Sequence, residues 1–235
     1  MKALFLFLAL LLLTGQSHAL ELGRNLPQSA RDVEFFYQHK EMASLSGILH
    51  AFDRKKRFQN GEIRLIIAAF LSEISRREKK YTEEIFAHAA EFSPDGQRML
   101  LWAAHLADLP QKVLGTALPA QENTALLRQI ERSPRKVLEW DPLASRTVAQ
   151  MYLGAFFAYA DMRYIDALLD TTKLFTRLQK EGRLQDPLYA RAQTVAALLY
   201  EMAKRHPCVR RHIEDRRKKL SGLEASLLDR ILALD

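Results

Sequence analysis

Outside its first nineteen residues the chain carries six histidines: His39, His50, His88, His105, His206 and His212. A helical zinc hydrolase places two histidines four residues apart with a glutamate between them. No pair here has that spacing. Glu84 and His88 stand four apart, on one face of a helix, and could share a metal ion. The same spacing suits a surface hydrogen bond or ion pair, which is the simpler reading. His50 and Asp53, three apart near a helix end, read the same way. His206 and His212 are six apart and project from different faces of a continuous helix. Nucleophile signals are missing too. There is no Gly-x-Ser-x-Gly elbow and no glycine-rich phosphate loop. Asp161, Asp166, Asp170 and Glu201 are candidate carboxylates, but nothing in their spacing selects a pair held across a cleft, as glycoside hydrolysis requires. The residue types predict no catalytic group, no metal and no cofactor, and favour a binding protein over an enzyme.

Charge is the stronger signal. The formal net charge is +7. Between Lys204 and Lys219 stand Lys204, Arg205, Arg210, Arg211, Arg216, Arg217, Lys218 and Lys219, opposed only by Glu214 and Asp215. Once Lys2 is set aside, this segment holds the whole excess. Val209, Ile213, Leu220, Leu223, Leu227 and Ile231 form an apolar stripe at helical steps, and Arg210, Arg211, Arg217 and Lys218 lie off it. These four are the candidate partner-binding residues. The segment is open to three readings: a docked terminal helix with solvated cations, a docking face for an acidic protein, or a contact with anionic lipid at a membrane surface. No DNA-binding motif accompanies the cations, so nucleic acid is not an expected partner.

Helices must position these groups. Apolar residues make up 48% of the chain, glycine is scarce at 9 and proline stands at 8. Ala, Leu, Glu, Lys, Arg and Gln dominate, and these lose little freedom in a helix. Alternating β-branched runs are absent, so the fold class is all-α. Periodicity predicts one helix from Ser29 through Phe52, a second over Glu62–Glu78, a third from Thr82 and a fourth opened by Ser93-Pro94. Gln111–Glu122, interrupted by Gly115 and Pro119, is the weakest stretch, and a subdivision is possible near 109–122. Further helices are expected over Glu122–Glu131, from Ser133-Pro134 through Leu138, from Asp141-Pro142 to Ala160, over Arg163–Lys180, from Asp186-Pro187 to Arg205, and from Pro207 to Leu234. Ser221-Gly222 is a potential break in the last. Gly154, among alanines, predicts the close approach of a neighbouring helix. About ten antiparallel helices in an irregular, solenoid-like array of pairs result, in a single domain over 20–235.

Met1-Lys2, the apolar run Ala3–Leu13 and the small residues Ser17-His18-Ala19 have the layout of a secretory signal peptide over 1–19, with cleavage after Ala19. The run is shorter than the roughly 20 residues a bilayer requires. A periplasmic or secreted location follows. The single cysteine, Cys208, allows no disulfide within the chain, so stability must come from helix packing. Cys208 is expected to be a small buried apolar residue.

Ala155-Phe156-Phe157-Ala158-Tyr159-Ala160-Asp161-Met162-Arg163-Tyr164, followed by His206-Pro207-Cys208-Val209, resembles a pattern in a family of uncharacterised exported helical proteins of Gram-negative bacteria. There a Phe-Ala-Thr-Gly-Asp run joins two helices, and Tyr159-Ala160 stands here for Thr-Gly. Leu153-Gly154 with Phe157 is also similar to the first helix of a tetratricopeptide repeat, although Asp166 sits where the second helix carries a small residue. The resemblance implies a periplasmic helical fold and no particular activity. The resulting expectation is an exported adaptor with an envelope protein as partner. The alternatives are a protein that binds lipid or a membrane surface, and a small hydrolase with a site between helices. A buried carboxylate–histidine cluster in a deep pocket would favour the hydrolase, and a shallow groove with satisfied polar groups the adaptor.

Overall fold

The computed structural model describes residues 28–40, 44–109 and 123–233. Among them the chain is all-α, with twelve α-helices and no strand. The leader over 1–19 and the segment 111–122 lie outside the described residues. One hydrophobic cluster runs through the fold from Ala30 to Ile231.

The N-terminal helices are α1 (Gln28–Glu34), α2 (Phe36–His39) and α3 (Leu45–Arg54). The single helix expected from Ser29 through Phe52 is therefore three. Lys40 ends α2 in the left-handed region, at φ 49°, with its N–H bonded to the Phe36 carbonyl. The break lets α1 and α2 aim Glu34 and Phe36 inward while α3 buries its own stripe of Leu45, Ile48, Leu49 and Phe52.

Helix α4 (Gly61–Arg77) occupies the centre. Asn60 caps it by accepting the Glu62 and Ile63 N–H groups. Its burial is not confined to the isoleucine stripe, because Ala68, Ala69, Ser72, Glu73 and Ser75 are buried as well. A helix buried on every side needs neighbours on both faces. These are α6 (Pro94–Leu106) and α8 (Arg146–Tyr159), with α5 (Lys79–Ala87) returning the chain between α4 and α6. Arg64 pairs with Asp95 at the N-terminal ends of α4 and α6, and Arg76 donates to the Leu106 carbonyl at their C-terminal ends. The two helices therefore run parallel. Arg77 reaches Asp161 just beyond the end of α8 at 3.0 Å, so α8 runs parallel to α4 as well.

The approach of α8 to α4 depends on Gly154. A Cβ there would fall inside contact distance of the Ile66 carbonyl oxygen and 3.1 Å from its Cγ2. Adjacent aromatics on α8 are covered from both sides: Phe156 is fully buried and Phe157 is 3% exposed. The chain then reverses at Ala160, which holds φ 54° and donates to the Phe156 carbonyl at 2.7 Å. An alanine thus fills the left-handed helix-ending position that glycine occupies most easily. Asp161 caps the returning helix α9 (Met162–Lys180) through the Arg163 N–H. Helix α10 (Pro187–Arg205) packs on α9, and α11 (Pro207–Arg217) and α12 (Gly222–Ala233) close that end.

Three further boundaries differ from expectation. The third helix begins at Lys79 rather than Thr82. After α7 (Asn123–Glu131), Ser133-Pro134 starts no α-helix, and only the 3-10 turn Val137–Glu139 follows. Asp141-Pro142 does not open α8. The Asp141 carboxylate accepts from Leu143 N–H and its carbonyl from Ala144 N–H, which closes a turn. Ser145 then caps α8 through the Val148 N–H.

Two substitutions test this core. Gly154→Ala forces a methyl group against a backbone carbonyl that cannot move without shifting α4, and should cost at least about 2 kcal/mol. Ala160→Gly relieves a left-handed alanine and should stabilise by about 0.5–1 kcal/mol. Urea unfolding followed by circular dichroism reads both.

Candidate functional site

Pro207 cannot donate a backbone N–H, and it forces the preceding residue out of the helical region. Helix α10 accordingly ends at His206, which is extended at φ −122° and ψ 99°. The imidazole points inward and is fully buried. Its Nε2 lies 3.1 Å from Glu34 Oε1 and its Nδ1 2.9 Å from the Tyr37 hydroxyl. An ionised carboxylate only accepts. In the neutral ring Nε2–H therefore donates to Glu34, and Nδ1 accepts from Tyr37. The Tyr37 oxygen in turn accepts from Gln38 at 3.1 Å and from the Cys208 thiol at 3.7 Å. Burial pushes the Tyr37 hydroxyl up to about 12, so it stays protonated and donates. Arg205 donates to the second Glu34 oxygen. The rings of Phe35, Phe157 and Phe156 surround the imidazole at 5.0, 5.6 and 5.9 Å.

This is a carboxylate–histidine cluster, but both ring nitrogens and both Glu34 oxygens are already engaged within the protein. Its effect is to fasten α1 and α2 to the junction of α10 and α11. Cys208 is half-buried and free, rather than fully buried as expected. Sequence reading missed this network. The available signals were a charged Glu34 between Val33 and Phe35 on an apolar face, and the His206-Pro207 dipeptide.

The four predicted binding cations are divided among different tasks. Arg210 donates to Glu214 at 3.3 Å and to the Leu232 carbonyl at 3.2 Å. Arg217 grips Asp229 with two bonds of 2.6 and 2.8 Å, joining α11 to α12. Its hydrogen bond holds the Asp229 carboxyl below the usual carboxylate value. Lys218 pairs with Asp215 at 2.8 Å on the surface. Arg211 is exposed, with no ion pair among the described residues. Neighbouring cations also serve the fold. Arg216 bonds both Asp166 and Asp170, and His212 meets Asp166 at 2.8 Å, which ties α11 to α9.

An open groove of about 880 Å³ lies between α9 and the start of α12, away from the buried network. Lys173, Leu174, Arg177 and Lys180 line one wall, and Gly222 and Leu223 line the other. Gly222 turns the chain with φ 64°, a conformation suited to glycine. That turn splits the last predicted helix at Ser221-Gly222, as the sequence allowed. Leu223 is 46% exposed. Against the upward push of desolvation, hydrogen bonds from Lys173 and Arg216 hold the Asp170 carboxyl below its ordinary value. Arg177 and Lys180 are exposed and have no acidic partner among the described residues.

The remaining histidines serve other contacts. His88 pairs with Glu91 at 2.6 Å rather than with Glu84. His50 stacks on Phe92 at 4.3 Å, while Asp53 accepts from the Ser93 N–H at the start of α6. Among the described residues no group of three or more His, Cys, Asp or Glu side chains is placed to hold a metal. No described helix is long and apolar enough to cross a membrane. No family model, curated protein or solved structure matches the chain.

The network makes a measurable prediction. Glu34→Ala strands Arg205 and His206 in the interior and should cost about 3–5 kcal/mol. Glu34→Gln keeps an acceptor for the imidazole and should cost less. Denaturant unfolding of the two variants beside the native protein orders them; equal losses would show that an acceptor at this position gives no rescue without the negative charge.

Proposed function

We propose that this protein is an exported helical adaptor of the cell envelope, which binds an acidic partner protein at the end formed by α9, α11 and α12. The observation that carries the reading is the groove between α9 and α12, where Arg177 and Lys180 stand unspent beside exposed Leu223. Both ring nitrogens of His206 and both Glu34 oxygens are engaged by protein partners, which suits a scaffold better than a hydrolase. Cations that meet carboxylates of their own chain stabilise the fold, and those left over are available to a partner. Export rests on the leader pattern of Met1–Ala19, and the resemblance to exported helical proteins of Gram-negative bacteria agrees with it.

The test is an affinity pull-down from envelope extract with the mature protein, beside an Arg177→Glu/Lys180→Glu variant and an Arg210→Gln/Arg211→Gln/Arg217→Gln/Lys218→Gln variant. The expected result is an envelope protein held by the native bait and lost by the groove variant. Loss with the α11 variant alone would move the docking face to the originally predicted cations. Recovery of lipid without protein would replace the adaptor with a membrane-surface protein.

A further inference from the structure

We infer that the groove between α9 and α12 takes a peptide segment with two carboxylates about one helical turn apart and a large apolar side chain beside them. This deepens the adaptor reading and rests on it.

The argument starts from spacing. Arg177 and Lys180 are three residues apart on α9, so their Cβ atoms stand about 5–6 Å apart on one face. Carboxylates three or four residues apart on a partner helix repeat that distance and meet the cations one to one. Arg177 offers a planar fork suited to a carboxylate, and Lys180 a mobile point charge. The first turn of α12 faces the same space, and the positive end of its dipole adds a partial positive charge. The apolar component follows from Leu174 and Leu223, which flank the cations from opposite walls. An apolar side chain laid between them removes the exposed face of Leu223 from water.

The acids in the groove select among anions. Asp170 is already met by Lys173 and Arg216. Glu224, on the first turn of α12, also lines the groove. A flat anionic membrane would press phosphates against Glu224 as well as against the cations. A peptide sets its charges selectively and avoids that repulsion. The groove is open on one side, which admits a chain segment more readily than it encloses a small ligand.

The experiment is a fluorescence anisotropy titration of the mature protein with a fluorescein-labelled peptide repeating Glu-Leu-Leu-Glu. Its controls are peptides repeating Lys-Leu-Leu-Lys and Glu-Ser-Ser-Glu, and vesicles rich in phosphatidylglycerol. The acidic apolar peptide should bind, weaken with salt and lose at least about tenfold in affinity on Arg177→Glu/Lys180→Glu and on Leu223→Ser. The controls should bind at least about tenfold more weakly. Arg177→Gln/Lys180→Gln, with circular dichroism of every variant, separates lost binding from lost folding. Equal binding of the basic peptide, indifference to the groove variants, or binding to vesicles alone would overturn the inference. Should the peptide fail while the envelope pull-down still loses its partner with the groove variant, the occupant's chemistry is wrong and the adaptor stands. A pull-down that depends on neither the groove nor the α11 cations removes both.

Discussion

A missing side chain sets the spacing of this fold. At Gly154 only a hydrogen separates α8 from the Ile66 carbonyl of α4. The backbones can therefore touch where most helix pairs are held 8–10 Å apart by side chains. Close approach is what makes α4 a buried core element on all its faces, with α6 packed on one side and α8 on the other. Alanines at positions 68, 69, 149, 155 and 158, all essentially buried, extend the tight seam. The large aromatics sit at the edges of that seam, where Phe36 meets Phe70 edge-on at 5.2 Å and Tyr152 meets Tyr164 at 6.1 Å. Stability without a disulfide follows from this arrangement. Dense packing of small and aromatic residues along one central helix holds the fold without a cross-link.

Ionic networks hold the outer helices to that centre. Burying a charge is costly unless each of its hydrogen bonds is met. Glu34 meets the condition with Arg205 and His206, and Glu73 pairs with Arg76, whose guanidinium also reaches the Leu106 carbonyl. Both networks join helices distant in sequence, and both contain a tyrosine whose hydroxyl is driven upward by burial, Tyr37 and Tyr164. Such networks give directional contacts that an apolar surface cannot. They fix how α1, α2 and α10 sit on the core rather than merely that they stick to it.

Most of the helices were legible because their signals are local. Ser93-Pro94 and Asp186-Pro187 act within three residues of themselves, and each caps the helix it announced. Gly154 was legible for a similar reason, since a glycine inside an alanine-rich helix has few uses other than close approach. The breaks at Phe35 and Lys40 were not legible, because the apolar periodicity from Val33 to Phe52 continues through them. What interrupts the helix is the docking of Glu34 and Tyr37 on residues about 170 positions away, and no local pattern contains that contact. Asp141-Pro142 is ambiguous in sequence because an Asx turn and a helix cap use the same side-chain bond to nearby N–H groups. The groove was half legible. Lys173, Arg177 and Lys180 are visible as one cationic face of α9, whereas the exposure of Leu223 depends on where the turn at Gly222 sets α12.

The density of cations between Lys204 and Lys219 drew attention to α11, yet charge density in a sequence counts cations without counting their partners. Folding brings Asp166 and Asp170 from α9 and Asp229 from α12 against that segment, and these acids absorb Arg216 and Arg217. The electrostatic excess therefore moves outward to the positions the acids cannot reach. Arg211 is one, isolated on an exposed face. Arg177 and Lys180 are others, on a helix whose two acids, Asp166 and Asp170, are taken up by Arg216 and Lys173. An isolated surface cation attracts anions weakly and without direction. Two cations at a fixed spacing, beside leucines and the positive end of a helix, define an orientation for whatever binds. Recognition needs that geometry more than it needs total charge, which is why the proposed docking site lies at the α9 edge of the groove rather than on the most basic stretch of the chain.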